Sequence, residues 1–265
     1  ILKDKLINSG KNDFSYILID CPPSLSLLTV MALVAAKSLI VPLQAEFFAL
    51  EGVSQLMKTI DRIKIKLNTV DKDAMDPLNL FRVHWFNNRD YSNFSKVPEH
   101  IVLPSEFTGV EAKIIVNIGR LFPLITAHKV LAAYGCLLPR ILNGTFDYEN
   151  HKAVWPSTGN YCRGGVAISR ILGLKSVAIL PEGMSRERFV WLEKWVEDKN
   201  DIVKTTGTES NVKEIYDACN ELKKDPKNDI INQFTEYYNY AIHRAVTGPS
   251  FEKSFLDVRG DSNLQ

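Results

Sequence analysis

The chain has 265 residues, enough for one large or two modest domains, and its 32 basic side chains nearly cancel 31 acidic ones, leaving a formal charge of +1. With no basic stripe and no block of like charge, nucleic acid and anionic membrane surfaces are not expected partners. The longest apolar run, residues 25–41, is broken by Ser26, Thr29, Lys37 and Ser38 and does not read as a membrane span; the chain opens on Ile1 without a signal peptide, as a fragment would.

In chain order, residues 16–19 carry a buried-strand pattern that ends at Asp20 and runs into Cys21-Pro22-Pro23. A second apolar run covers 39–41, and Leu50, Val53, Leu56 or Met57, Ile60 and Leu67 recur at helical spacing. The polar, acidic stretch 69–77 has neither period, so a first block ends near residue 68, a linker covers 69–80, a second block covers 81–250, and 251–265 is a polar tail. The aromatic cluster Phe81, Trp85, Phe86, Tyr91 and Phe94 predicts docking of an irregular connection. Lys129 opens an apolar helix through Val130-Leu131-Ala132-Ala133; the ordinary reading of such a lysine is a solvated first-turn residue, and of His128 a packing residue. From residue 153 the pattern alternates. A strand at 153–155 leads through a polar loop to an amphipathic segment at 166–172, and a strand follows at 176–180. A helix over 185–196 buries Phe189, Leu192, Trp195 and Val196 and leaves Arg186 and Arg188 as solvated charges. A short strand at 202–204 precedes a helix with Ile215, Ala218, Cys219 and Leu222 on one face. Ile230, Ile231 and Phe234 then predict a strand, and 237–246 a helix.

Such alternation predicts an α/β fold with a doubly wound parallel sheet, whose ligand crevice collects the carboxyl ends of the strands. Ser157-Thr158-Gly159-Asn160 and Asn232-Gln233-Phe234 both fall there. A polar loop that opens into a helix presents unpaired N–H groups and partial positive charge to an anion, with hydroxyls as added donors. It is equally an ordinary helix cap, and the loop alone does not decide between them. Asp20 at a strand end is placed either to orient a magnesium-bound water or to cap the next turn. Cys21, Cys136, Cys162 and Cys219 lack CxxC spacing and read as reduced thiols of a cytoplasmic protein rather than disulfides or zinc ligands.

The words YILIDCPPSLSLLT and VPLQAEFFALEG resemble the middle of ParA-type chromosome-partitioning ATPases, over residues 1 to about 68. The resemblance implies a partial P-loop-type α/β fragment with Asp20 as its Walker-B-like carboxylate. No GKS or GKT occurs in the chain, and Lys37 stands where the family usually has Asp, so ATP and magnesium are not expected as cofactors. From about residue 76 the words FRVHWFNNRDY, AHKVLAAYGCL, VWPSTGNYCRGG and LPEGMSRERF resemble the cysteine synthase family of fold type II pyridoxal-phosphate enzymes. That resemblance implies a Rossmann-like three-layer domain. It implies Lys129 as the Schiff-base lysine and α-proton base. Ser157, Thr158 and Gly159 become the substrate loop, joined by Gln233, and Asn160 the partner of the cofactor ring hydroxyl. Thr247-Gly248-Pro249 is similar to the family's T-G-P segment. The implied reaction is β-elimination or β-replacement on a serine-derived amino acid, in a possible homodimer.

Two departures stand out. Residues 126–130 lack the family's Asp-Arg after the lysine, and Tyr161 replaces a small residue. Glycines fall singly except Gly164-Gly165, so no glycine-rich cup for the cofactor phosphate is evident, and weak or absent binding of pyridoxal phosphate by this chain is expected. The alternatives are a non-catalytic partner-binding module built on the partitioning-type fragment, or a fusion product without function of its own. The two blocks are not expected to share one sheet, which predicts exposed strand edges and apolar faces.

Overall fold

Lys152–Pro156 is the pivot of the fold: four of its five residues are buried, as a strand covered on both faces requires. In a computed structural model, residues 18–20 and 65–260 are described. Contacts divide the chain into Ile1–Lys66 and Leu67–Gln265. The helical expectations for 50–64, and those for Cys21 and Lys37, lie outside the described residues. Residues 18–20 have no regular structure and are exposed, Leu18 at 83%, so the buried strand predicted to end at Asp20 is not found there.

The second unit runs β1 (His100–Leu103), α1 (Ser105–Thr108), β2 (Ile114–Asn117), α2 (Lys129–Leu142), β3 (Lys152–Pro156), α3 (Asn160–Ile171) and β4 (Lys175–Pro181). It continues with α4 (Arg186–Trp195), β5 (Ile202–Thr205), α5 (Val212–Leu222), β6 (Asn228–Ile230), α6 (Tyr237–Ile242) and α7 (Gly248–Arg259), with a π-helical turn, His243–Thr247, between the last two. β1 and β2 form a separate antiparallel pair. The main sheet is wholly parallel in the order β5-β4-β3-β6, with Val154 opposite Val177 on one side and Ile230 on the other.

Alternation along the strands creates two cores. Ala153, Trp155, Ala178 and Leu180 face α2, α3 and α4; Val154, Val177 and Ile179 face α5 through Ile215 and Cys219. The sheet is therefore a middle layer between helices, the three-layer α/β arrangement expected. The lone glycine pair serves packing. A Cβ on Gly164 would stand 3.0 Å from the Lys129 carbonyl oxygen, and one on Gly165 would stand 1.9 Å from the Trp155 ring. Both positions let α3 press against α2 and β3.

Three elements depart from the sequence expectation. α3 begins at Asn160, six residues ahead of the amphipathic segment, because the buried first-turn residues Tyr161 and Cys162 extend its apolar face. Residues 70–80 are tied into the second unit rather than left as a linker: buried Arg82 donates to the carbonyls of Leu67 and Val70, and Asn79 donates to those of Asp71 and Ala74. The polar tail is helical as far as Arg259, anchored by buried Ser254, whose hydroxyl donates to Asn117 Oδ1 at 2.6 Å.

Candidate functional site

Ser157 ends the buried run of β3: its N–H donates to the Ile179 carbonyl, and its Oγ accepts from the Gly159 N–H at 3.2 Å. This turns the chain out of the sheet and into α3, which starts without a side-chain cap. The first-turn amides of α3 therefore face the loop with a partial positive charge available to an anion. Ser157 is 7% exposed, Thr158 half-buried, and Asn160 exposed.

The chain leaves β3 towards α3 and β4 on one side and returns through β5 and α5 to β6 on the other. The gap between the carboxyl ends of β3 and β6 is thus the switch point at which open α/β sheets bind ligands. A cavity of about 160 Å³ lies there, lined by Ser157, Thr158, Gln233 and Asn232 with Glu209 and Tyr216. A wider cleft of about 330 Å³ opens where the strands begin, with Lys152, Lys175 and Lys227 among its lining. Lys152 there is already paired with Asp201 at 2.7 Å. The smaller cavity is the better candidate because its position matches the architecture and it gathers hydroxyl and amide groups.

Gln233 lies on a turn, not on a strand. β6 ends at Ile230, Ile231 gives one more N–H to the Val154 carbonyl, and Asn232 then accepts from Phe234 N–H through Oδ1 and from the amides of Thr235 and Glu236 through its carbonyl. The Asn232 side chain outcompetes the ladder, and Phe234 is left 72% exposed. The turn is braced by Arg140, which forms ion pairs with Asp229 at 2.6 Å and Glu236 at 2.5 Å.

Lys129 is not part of the cavity wall. It is the first residue of α2, half-buried, with no hydrogen bond or ion pair to a described residue. Beside it His128 stacks on Trp85 with centroids 5.7 Å apart and meets His243 edge-on at 6.0 Å. Burial lowers the pKa of both imidazoles, and the neighbouring Lys129 charge lowers each further. His128 is a packing residue, as read from the sequence. Trp85 is 6% exposed and anchors the irregular connection against Phe122 and Phe251, whereas Phe81 and Phe94 remain on the surface. Cys136, Cys162 and Cys219 are free and buried, with burial pushing their pKa values to about 11, 12 and 11. None of them has the lowered pKa of a reactive thiol.

The structure thus brings Ser157, Thr158 and Gln233 together, with Gly159 and Asn160 on the same loop and Lys129 on the adjoining helix. Asp20 has no described partner in a site. Sequence reasoning missed Glu209 and Tyr216, which no periodicity distinguishes from solvated residues. It also missed Arg188, read as a solvated charge: its guanidinium lies against the loop, with Cζ 3.3 Å from where a Cβ on Gly159 would stand.

Comparison with known proteins separates the chain in the same way. A family model described as an AAA domain matches residues 1–71. Over 55 residues the chain is 62% identical to the chromosome partitioning protein ParA of Caulobacter vibrioides, covering 21% of each. Over 65 residues it is 48% identical to the sporulation initiation inhibitor protein Soj of Bacillus subtilis, covering 24% of this chain and 26% of that one. The first block is a ParA-like segment. It spans about a quarter or less of these relatives.

Among solved structures, an O-acetylserine dependent cystathionine beta-synthase from Helicobacter pylori superposes with a TM-score of 0.52 at 15% identity, covering 59% of this chain and 50% of that one. A cysteine synthase from Entamoeba histolytica superposes with a TM-score of 0.51 at 17% identity, covering 59% and 46%. The second unit has the cysteine synthase fold. At this identity the likeness concerns the fold, and the chain spans about half the length of those proteins. Among the described residues of the cysteine-synthase-like unit, no helix is long and apolar enough to cross a membrane.

Proposed function

We propose that the cysteine-synthase-like unit is the amino-acid-binding part of a pyridoxal-phosphate-dependent lyase or transferase that removes or replaces a β-substituent of a serine-derived amino acid. The observation that carries this reading is the cavity at the β3–β6 switch point, where Ser157, Thr158 and Gln233 converge. Its small volume suits an amino acid, and Glu209 on its wall suits an amino group.

The residues present fit such a cofactor in one respect that can be checked: Lys129 is half-buried, with no described carboxylate holding its ammonium. When bound, pyridoxal phosphate supplies an electron sink that makes an α-proton removable. We assign Lys129 to hold the cofactor covalently and to carry that proton. Ser157 and Thr158, with the first-turn amides of α3, hold the substrate carboxylate; Gln233 closes on it from the β6 side. Asn160 orients the cofactor ring. We further propose that the unit works in the cytoplasm, a reducing compartment that its buried free thiols suit, as a homodimer acting on a small amino acid.

Incubation with pyridoxal phosphate, borohydride reduction and peptide mapping tests the assignment independently of turnover. Label on the Lys129 peptide, absent in Lys129→Ala, is the expected result; label on other lysines, unchanged in the variant, would sink it. A second reading rests on the ParA likeness, namely that residues 1–68 dock to a related ATPase without hydrolysing nucleotide. It predicts co-purification with such an ATPase that is lost when residues 1–68 are deleted.

A further inference from the structure

On the side of the Ser157 loop away from the cavity, two guanidiniums lie close together without an acid among the described residues. Arg188, on the first turn of α4, lies flat against Gly159: its Cζ, Nε and Nη2 stand 3.3, 3.4 and 3.6 Å from where a Cβ would be. Among the described residues the guanidinium has one hydrogen-bond contact, Met184 Sδ at 3.9 Å. Arg163, one turn into α3, has its Cζ 4.8 Å from the ring centroid of Trp191, three residues beyond Arg188 on α4. The Arg163 Nε is fully buried and lacks a hydrogen-bond partner.

Neither arginine forms an ion pair with a described carboxylate. Asp73, whose charge reaches Arg163, is itself bound to Lys72 at 2.6 Å. Burial lowers the pKa of Arg163, and the Arg188 charge lowers it further, as expected of like charges held together. Buried and half-buried guanidiniums are ordinarily paired. Elsewhere in this unit the terminal nitrogens are paired: Arg140 takes two carboxylates, and buried Arg82 takes three backbone carbonyls and Asn79, although its Nε, like that of Arg163, is buried without a partner.

We propose that Arg163 and Arg188 form an oxyanion subsite for a phosphate group, distinct from the switch-point cavity. Two guanidinium forks beside the uncapped start of α3 match a group that carries close to two negative charges and several acceptor oxygens. A single carboxylate would leave one cation unbalanced. Stacking on Trp191 and contact with Gly159 keep both forks in place before the anion arrives. A free phosphate ester and a bound cofactor present the same phosphate chemistry at this point, and a competition experiment separates the two.

The test titrates the full chain with inorganic phosphate by calorimetry, with acetate as the singly charged comparison. Phosphate is expected to bind more tightly than acetate, and Arg188→Gln and Arg163→Gln each to weaken phosphate about tenfold or more, the loss of one charge-assisted pair. Near-UV circular dichroism verifies that each variant is folded; should one not fold, the other decides. Gln233→Ala and Lys129→Ala are expected to leave phosphate affinity unchanged, which separates this site from the proposed catalytic one. Unchanged affinity in both arginine variants, or loss of phosphate binding in Gln233→Ala, would overturn the proposal. Competition by pyridoxal phosphate but not pyridoxal would assign the site to the cofactor; simultaneous binding would assign it to a separate phosphate ester.

Discussion

Gly165→Ala is the most direct probe of how α3, and with it the Ser157 loop, is seated. A Cβ there would stand 1.9, 2.3 and 2.4 Å from Cδ2, Cγ and Cε3 of Trp155, against an ordinary carbon contact of about 3.5–4.0 Å. The ring must therefore retreat by well over an ångström, yet Trp155 is fully buried. Its Nε1 donates to Ser169 Oγ at 3.0 Å, and its ring meets Tyr161 edge-on at 5.5 Å. Overpacking of this kind costs about 1–3 kcal/mol, and loss of the buried indole hydrogen bond about 1 kcal/mol more. Alanine gains about 1 kcal/mol in helix propensity, leaving a net destabilisation of about 1–3 kcal/mol. Equilibrium denaturation measures it. A double-mutant cycle with Trp155→Leu should show the two changes to be markedly less than additive, since the smaller side chain makes room. A Gly165→Ala protein as stable as the parent, or a strictly additive cycle, would refute the packing account.

Three further outcomes follow from the contacts. Arg140→Ala strands Asp229 and Glu236, two half-buried to buried carboxylates, and should cost about 3 kcal/mol in denaturation while loosening the Gln233 turn; a change within about 0.5 kcal/mol would contradict it. His84 accepts the Phe86 N–H at 2.9 Å through Nδ1, which requires a neutral ring, and burial pushes its pKa down to about 4 from 6.5. Because the folded value lies below the unfolded one, this contribution is complete above pH 6.5 and is lost as the pH falls towards 4, by about 3 kcal/mol. His84→Gln should flatten that part of the stability–pH curve; parallel curves would rule the mechanism out. Thr247→Val removes the hydroxyl that takes the Trp85 Nε1–H at 2.9 Å and meets His243 Nδ1 at 2.9 Å, and should cost about 1–2 kcal/mol, read as a lower melting temperature.

Much of the second unit was legible from one-dimensional pattern. The runs 153–155, 176–180 and 202–204 are apolar because parallel strands are covered on both faces, and β3, β4 and β5 lie within a residue or two of them. Ile215, Ala218, Cys219 and Leu222 mark α5 by their spacing alone, and all four pack against the sheet. Periodicity reports what each segment must bury, so it survives without knowledge of the neighbour.

What it does not report is which neighbour. The end of β6 was misread because Ile231 and Phe234 look equally apolar, whereas the Asn232 side chain turns the chain between them and exposes Phe234. Lys129 and Arg188 look like solvated helix residues in isolation. Only the packing of α2 on α3, permitted by Gly164, and of α4 on the Gly159 loop gives them their surroundings. Sequence by itself determined most strands and helices around the parallel sheet, the order in which they alternate and the strand ends beside which the cavity lies. The tertiary structure alone decided which polar groups meet there and which arginines have no acid among the described residues, because hydrogen bonds and charge fields act across distances in space that chain spacing does not encode.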